Sequence, residues 1–239
     1  MSLELSDPEA SRPFIEAARP QHPSLLDPTH QLDALFGVVN IPNVVWIDEH
    51  GTIVRPAEPG WAGPAQYPES MTRRLAERAQ REAEAEAAGA GPKRPGLAGL
   101  LAGGQDRATY ADAIRHWVHH GADSPYAMTP DQVVASSQPR GEEASRAAAH
   151  FELANHLWQA GHRDAAIGHF NRCHRLQPDN WTYKRQAWSL VGNERVGGGE
   201  MGRFTQVPLP GEEDAWPFDS NFDADVAALE PGQYYPKTL

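Results

Sequence analysis

The chain has 239 residues, 40% of them hydrophobic, and a formal net charge of −11. That length allows one large domain or two small ones, and the acidity argues against nucleic acid or an anionic membrane surface as partner, since both need a basic face. The one cysteine, Cys173, excludes an internal disulfide, a four-thiolate zinc site and a two-cysteine redox motif within this chain, and no apolar window reaches the roughly 18 residues of a membrane span.

With 21 glycines and 21 prolines, loops and linkers take a large share of the chain. Composition divides it at 62, 105 and 191. In the first stretch, 1–62, Met1 precedes neither a basic nor an apolar leader segment, so no signal peptide is legible and a cytoplasmic location is expected. Leu3 and Leu5 alternate with polar residues and predict a short strand. A helix is expected to start at Ser11, with Pro13 in its first turn and Phe14, Ile15 and Ala18 on its inner face. Asp27-Pro28 reads as a cap and first helical residue, Leu32, Leu35 and Phe36 as the buried stripe, and Gly37 as the stop. The unbroken apolarity of Val44 to Ile47 predicts a strand buried on both faces. Asp48-Glu-His-Gly51 then turns the chain into a second hairpin arm at Thr52–Val54.

Over 63–105 a charged helical run from Met71 to Ala88 passes into a Gly/Pro-rich linker. The stretch 106–191 is helical. Tyr110, Ile114, Trp117 and Val118 share one helical face that Gly121 closes. Thr129-Pro-Asp-Gln132 is a capping box, opening a short helix expected to bury Val133 and Val134. A longer helix runs from Gly141 to Ala160, another from His162 to Leu176, and a third starts at Trp181. The tail, 192–239, carries Trp216, Phe218, Phe222, Tyr234 and Tyr235. It is expected to wrap the helices and bury its rings, the alternative being a segment that orders on a partner.

Other chemistries find little support. His116, His119 and His120 have the i, i+3, i+4 spacing of metal ligands, but no acidic residue completes the set, so a polar helix face is the better account and no metal site is expected. His162, His169 and His174 are expected to cap or solvate the turn between two helices. Asp48 beside His50 should serve its own turn backbone. Gly197-Gly-Gly199 lacks the Lys-Ser/Thr of a phosphate loop, and no G-x-S-x-G elbow occurs. No cofactor is expected.

Two stretches resemble known families. Phe36-Gly-Val-Val-Asn-Ile-Pro-Asn-Val-Val-Trp-Ile-Asp-Glu-His-Gly-Thr-Ile-Val resembles the later part of a thioredoxin-like redoxin domain of the ResA/TlpA group. The resemblance implies a cis Ile41–Pro42 bond, with Ile41 and Pro42 as the loop that pairs with an extended substrate. It also places the reactive thiols on a strand–helix unit ahead of Leu3–Leu5, so no catalytic residue is expected in this chain. Some redoxin-like proteins carry selenocysteine at that position, encoded by a codon ordinarily read as stop, which makes a start downstream of that unit one reading of Met1. Cys173, on a distant helix, reads as a small buried hydrophobe.

The second resemblance is to a tetratricopeptide repeat over Ala147–Asn180, where Leu153, Ala154, Leu157, Gly161, Ala166, Phe170, Cys173 and Pro178 fall at the family's packing positions. Ala154 and Ala166 should let two helices approach while Leu157 and Phe170 fill the seam. By analogy a groove would present Asn155, Trp158 and Gln159. One repeat falls short of the about three that make a continuous groove, so a hairpin packed on its neighbours stands beside that reading.

The fold expected is therefore α/β: an incomplete thioredoxin-like sheet-and-helix domain over 1–62 and an α-helical, tetratricopeptide-like domain over 106–191, its hairpin at 147–180. Two functions follow. One is a piece of a thiol–disulfide oxidoreductase, of the kind that maintains redox homeostasis, with a protein-guiding extension and no nucleophile of its own. The other is a non-catalytic adaptor that binds protein or peptide partners.

Overall fold

A computed structural model describes residues 8–61, 106–137, 139–192, 213–230 and 232–239, with the single positions 84, 104 and 208. The strand expected at Leu3–Leu5, Gly197-Gly-Gly199 and, except for Glu84, the helical run over 71–88 lie outside the described residues. Among the described residues eight α-helices accompany one antiparallel pair of strands, a mixed α/β architecture. Two compact units share them: one draws on Met1–Ile41 and Pro139–Asp223, the other on Pro42–Gln138 and Ala224–Leu239. Each unit is discontinuous, so the stretches 1–62 and 106–191 contribute to both.

The first unit holds α1 (Arg12–Ala18), with proline in its first turn, and α2 (Gln31–Phe36). Helix α1 buries none of its residues. Of the inner face expected of it, Phe14 and Ala18 are exposed and Ile15 half-buried, because its two turns meet no covering element among the described residues. The helix that Asp27-Pro28 was expected to open starts at Gln31, three residues after Pro28. Asp27 nevertheless caps it: its carboxylate accepts the backbone N–H groups of Gln31 and Leu32 at 3.0 and 2.7 Å. The apolar stripe expected on α2 faces outward. Leu35 is 77% exposed and Phe36 39%, whereas Asp33 is fully buried. A six-residue helix has one inner face, and here the His30–Asp33 hydrogen bond occupies it.

Three longer helices build the rest of this unit. The hairpin of α5 (Glu142–Gln159) and α6 (Arg163–Leu176) turns at Gly161, whose φ of +83° suits glycine. Ala147, Phe151 and Ala154 meet Ala166, Phe170 and Cys173 in the seam, all buried. Phe151 takes the place expected of Leu157, which is half-buried, while Leu153 is exposed. Helical periodicity is the cause: 147, 151 and 154 share a face, and 153 lies about 100° round from 154. Helix α7 (Trp181–Gly192) adds Tyr183, Ala187 and Trp188 to the core. Tyr183 stacks on Phe151 at 4.2 Å, and the carbonyl of Val39 accepts the N–H of Trp181 at 2.6 Å. Only the first part of the aromatic tail lies on this unit: Phe218 is buried against Phe170, and Asn171 bonds the backbone of Pro217 and Asp219. Tyr234 and Tyr235 belong instead to the second unit, where Tyr235 meets Trp61.

The second unit is built on β1 (Asn43–Ile47) and β2 (Ile53–Pro59), antiparallel with Val44 opposite Glu58 and Trp46 opposite Arg55. Asp48 accepts the N–H groups of His50 and Thr52, as a turn aspartate should. The strand β1 is not buried on both faces: Trp46 is buried, but Ile47 is 46% exposed, because the sheet has two strands and alternates its sides. Helix α3 (Arg107–His120) is capped by Asp106 and buries Tyr110 and Ala113 against Trp46, leaving Val118 exposed. Helix α4 (Pro130–Ser136) opens on the expected capping box and packs on β2. Val133 is half-buried and Val134 exposed, since a two-turn helix offers one narrow contact face. Helix α8 (Phe222–Ala227) contributes residues to both units.

Gly60 lies against the Tyr110 ring: a Cβ there would sit 2.4 Å from two ring carbons. That ring is itself buried and hydrogen-bonded and has no room to yield. Gly60→Ala is expected to destabilise the second unit by about 2 kcal/mol, within the range for overpacking, measured as a lowered denaturation midpoint.

Candidate functional site

The residues singled out by sequence do not gather in one place. Ile41 is half-buried and donates its N–H to Asn40 Oδ1 at 2.9 Å; Pro42 is exposed. Of the groove candidates, Asn155 is buried with its Oδ1 unpartnered. Trp158 is half-buried under the Arg163 guanidinium at 4.8 Å, and Gln159 faces solvent. One turn of α5 thus runs from interior to surface. Cys173 is fully buried, and burial pushes its thiol up to about 12.

The strongest polar site in the first unit is one that the sequence reading passed over. His30 and Asp33, both buried, face each other across one helical turn, His30 Nδ1 lying 2.7 Å from Asp33 Oδ2. A left-handed backbone at His30, φ 56°, aims the ring inward, where it meets Phe151 edge-on at 4.9 Å. Burial raises the Asp33 carboxyl above its ordinary value, against the opposing pull of the His30 hydrogen bond. Among the described residues His30 Nε2 and Asp33 Oδ1 have no partner, nor do His174 Nε2 and Trp188 Nε1. Such a pair can orient an imidazole and hold a proton. The i, i+3 spacing of His30 and Asp33 was the available signal.

His174 also corrects an expectation. It is buried, not a solvated cap, with Nδ1 3.1 Å from Ser220 Oγ, and burial pushes it down to about 3. His162 stands at the N-terminus of α6 without a side-chain cap bond, and His169 meets His150. In the second unit His116 bonds Ser124 Oγ at 3.0 Å and stacks on His120. Among the described residues no three His, Cys, Asp or Glu side chains come together as a metal site would need.

The second unit has its own buried polar cluster, also unforeseen. Arg55 grips Glu58 through two bonds, Nε to Oε1 at 2.7 Å and Nη2 to Oε2 at 2.8 Å. Tyr110 donates to Glu58 Oε1 at 2.7 Å and accepts from Trp46 Nε1 at 2.8 Å. Two further guanidinium N–H groups donate to the carbonyls of Tyr126 and Thr238. Burial first, then Glu58, raises the Tyr110 hydroxyl far above the usual range, so it stays a neutral donor. This network is a fastening: every charge has partners and none is offered to a ligand.

Comparison with family models, with curated proteins and with solved structures finds no match to this chain.

Two expected outcomes follow from this geometry. Glu58→Gln should cost about 3 kcal/mol, the scale for leaving one buried charge uncompensated, read by denaturant unfolding. The His174 imidazole is lowered in the folded state, so its contribution is complete above pH 6.5 and is lost as pH falls toward 3. His174→Gln is expected to flatten the fall in thermal stability across that window. Asp33, raised, acts in the opposite sense and is common to both proteins, so the comparison isolates His174.

Proposed function

We propose that this chain is a non-catalytic protein-binding adaptor, built from a thioredoxin-like remnant and a tetratricopeptide-like hairpin. The observation that carries this reading is a run of exposed apolar side chains on one short segment: Phe14 at 65%, Leu25 at 57% and Leu35 at 77% exposure, with Leu26 and Phe36 beside them. Single exposed apolar residues are ordinary, but several within 23 positions are more apolar material than a segment without a partner needs at its surface. With a net charge of −11, the fitting partner is a protein whose apolar patch carries a basic rim. The buried thiol supports the same view, because a cysteine at about 12 supplies almost no thiolate at neutral pH.

A second reading, the redoxin-type oxidoreductase, draws on the order helix α2, Gly37, hydrophobic-Pro, then the β1–β2 hairpin, which is the order the resemblance implies. In that reading Ile41 and Pro42 form the substrate loop and the nucleophile is supplied from outside this sequence.

Peptide-display selection against the full chain is expected to enrich apolar, basic-flanked peptides, with affinity at least tenfold weaker for Leu35→Glu and Phe14→Glu. Affinity unchanged in both variants would overturn the adaptor surface. Dithiol-dependent insulin reduction is expected to be absent from the purified chain, and reduction that persists in Cys173→Ser would contradict the non-catalytic assignment.

A further inference from the structure

Helices α5 and α6 bring two imidazoles together at their partly buried edge. His150 Nδ1 lies 2.8 Å from His169 Nδ1, with ring centroids 5.0 Å apart and planes inclined by 31°. Two nitrogen lone pairs do not face each other at that separation. One Nδ1 must carry hydrogen and donate while the other accepts, which fixes opposite tautomers on the two rings. We propose that His150 and His169 share a single proton across the α5–α6 seam and form a pH-sensitive clasp on this hairpin.

The proton inventory explains why the clasp has a threshold. With both rings neutral, the donor has a free Nε2 and the acceptor keeps its hydrogen on Nε2. A first added proton goes to the donor's Nε2, and the bond between the rings becomes charge-assisted and stronger. A second has only the accepting Nδ1 to occupy. It would set two N–H groups head to head within one hydrogen-bond length, on two like charges, so the contact must open.

The surroundings act in the same direction. The charged groups bearing on His150 are His169 and Arg172 from α6 and Arg146 from α5. Burial first, then these neighbours, hold its imidazole below the ordinary value of 6.5. The lowered value belongs to the second, opening proton: the clasp holds through the first step and is lost as pH falls through the lowered one. The steps belong to the pair and not to either ring.

A metal explains the geometry less well. Tetrahedral zinc, with nitrogens at about 2.0–2.1 Å, would hold them roughly 3.3 Å apart. The two arginines repel a cation, and among the described residues no third ligand joins the pair.

The test is an NMR pH titration of the histidine ring signals in the full chain, beside His150→Asn and His169→Asn. The expected result is two coupled steps for the pair, with the lower step absent from either variant and the surviving ring's midpoint moved upward. Hydrogen exchange of the α5–α6 amides is expected to quicken as the second proton binds in the parent chain, with no such step in either variant. Two independent one-proton curves, each unmoved by loss of the other ring, would overturn the proposal. So would one-to-one zinc binding at neutral pH that either variant abolishes.

Discussion

The packing of Phe151 is the constraint on which the first unit depends. Its ring meets the His30 imidazole, the Phe170 ring of α6 and the Tyr183 ring of α7, so one side chain ties three stretches far apart in sequence. Alanines at 147, 154 and 166 make this arrangement possible, because only a methyl group fits where two helices come this close. Apolar burial of this kind is undirected. What gives it a direction is the polar material placed round it: Asp27 capping α2, His30 against Asp33, and His174 held by Ser220.

The second unit solves the same problem with a charge. Arg55 has four of its bonds inside the protein, to Glu58 twice and to the carbonyls of Tyr126 and Thr238. Burying an ion pair adds little net stability against an apolar replacement, since desolvation offsets most of the attraction. Its value lies in geometry. A planar guanidinium accepts only carbonyls and carboxylates placed in its fork, so the β1–β2 hairpin, α3 and the C-terminal residues hold one mutual arrangement.

These interiors bear on function through what they leave at the surface. His30 and Arg55 each lie against an aromatic ring, and the cysteine is buried in the α5–α6 seam. Apolar side chains that a core would normally claim, Leu35 above all, point outward because Asp33 and His30 fill the inner face of α2. An inverted short helix of this kind trades core burial for exposed apolar surface, the feature on which the proposed adaptor role rests.

Sequence by itself determined the punctuation of this protein. The Thr129–Gln132 box, the Asp48 turn and the glycine ends at 37, 121 and 161 all follow from bonds within a few residues, which short patterns encode. Tertiary structure alone decided which polar residues went inside. His30 with Asp33 and Arg55 with Glu58 are i, i+3 spacings that fit a solvated surface as well as a buried pair, and nothing local joins His150 to His169. The burial of Asp33 and the exposure of Leu35 depend on which distant segment covers α2. No local pattern carries that information, because the energy of a buried charge is set by partners brought from elsewhere in the chain.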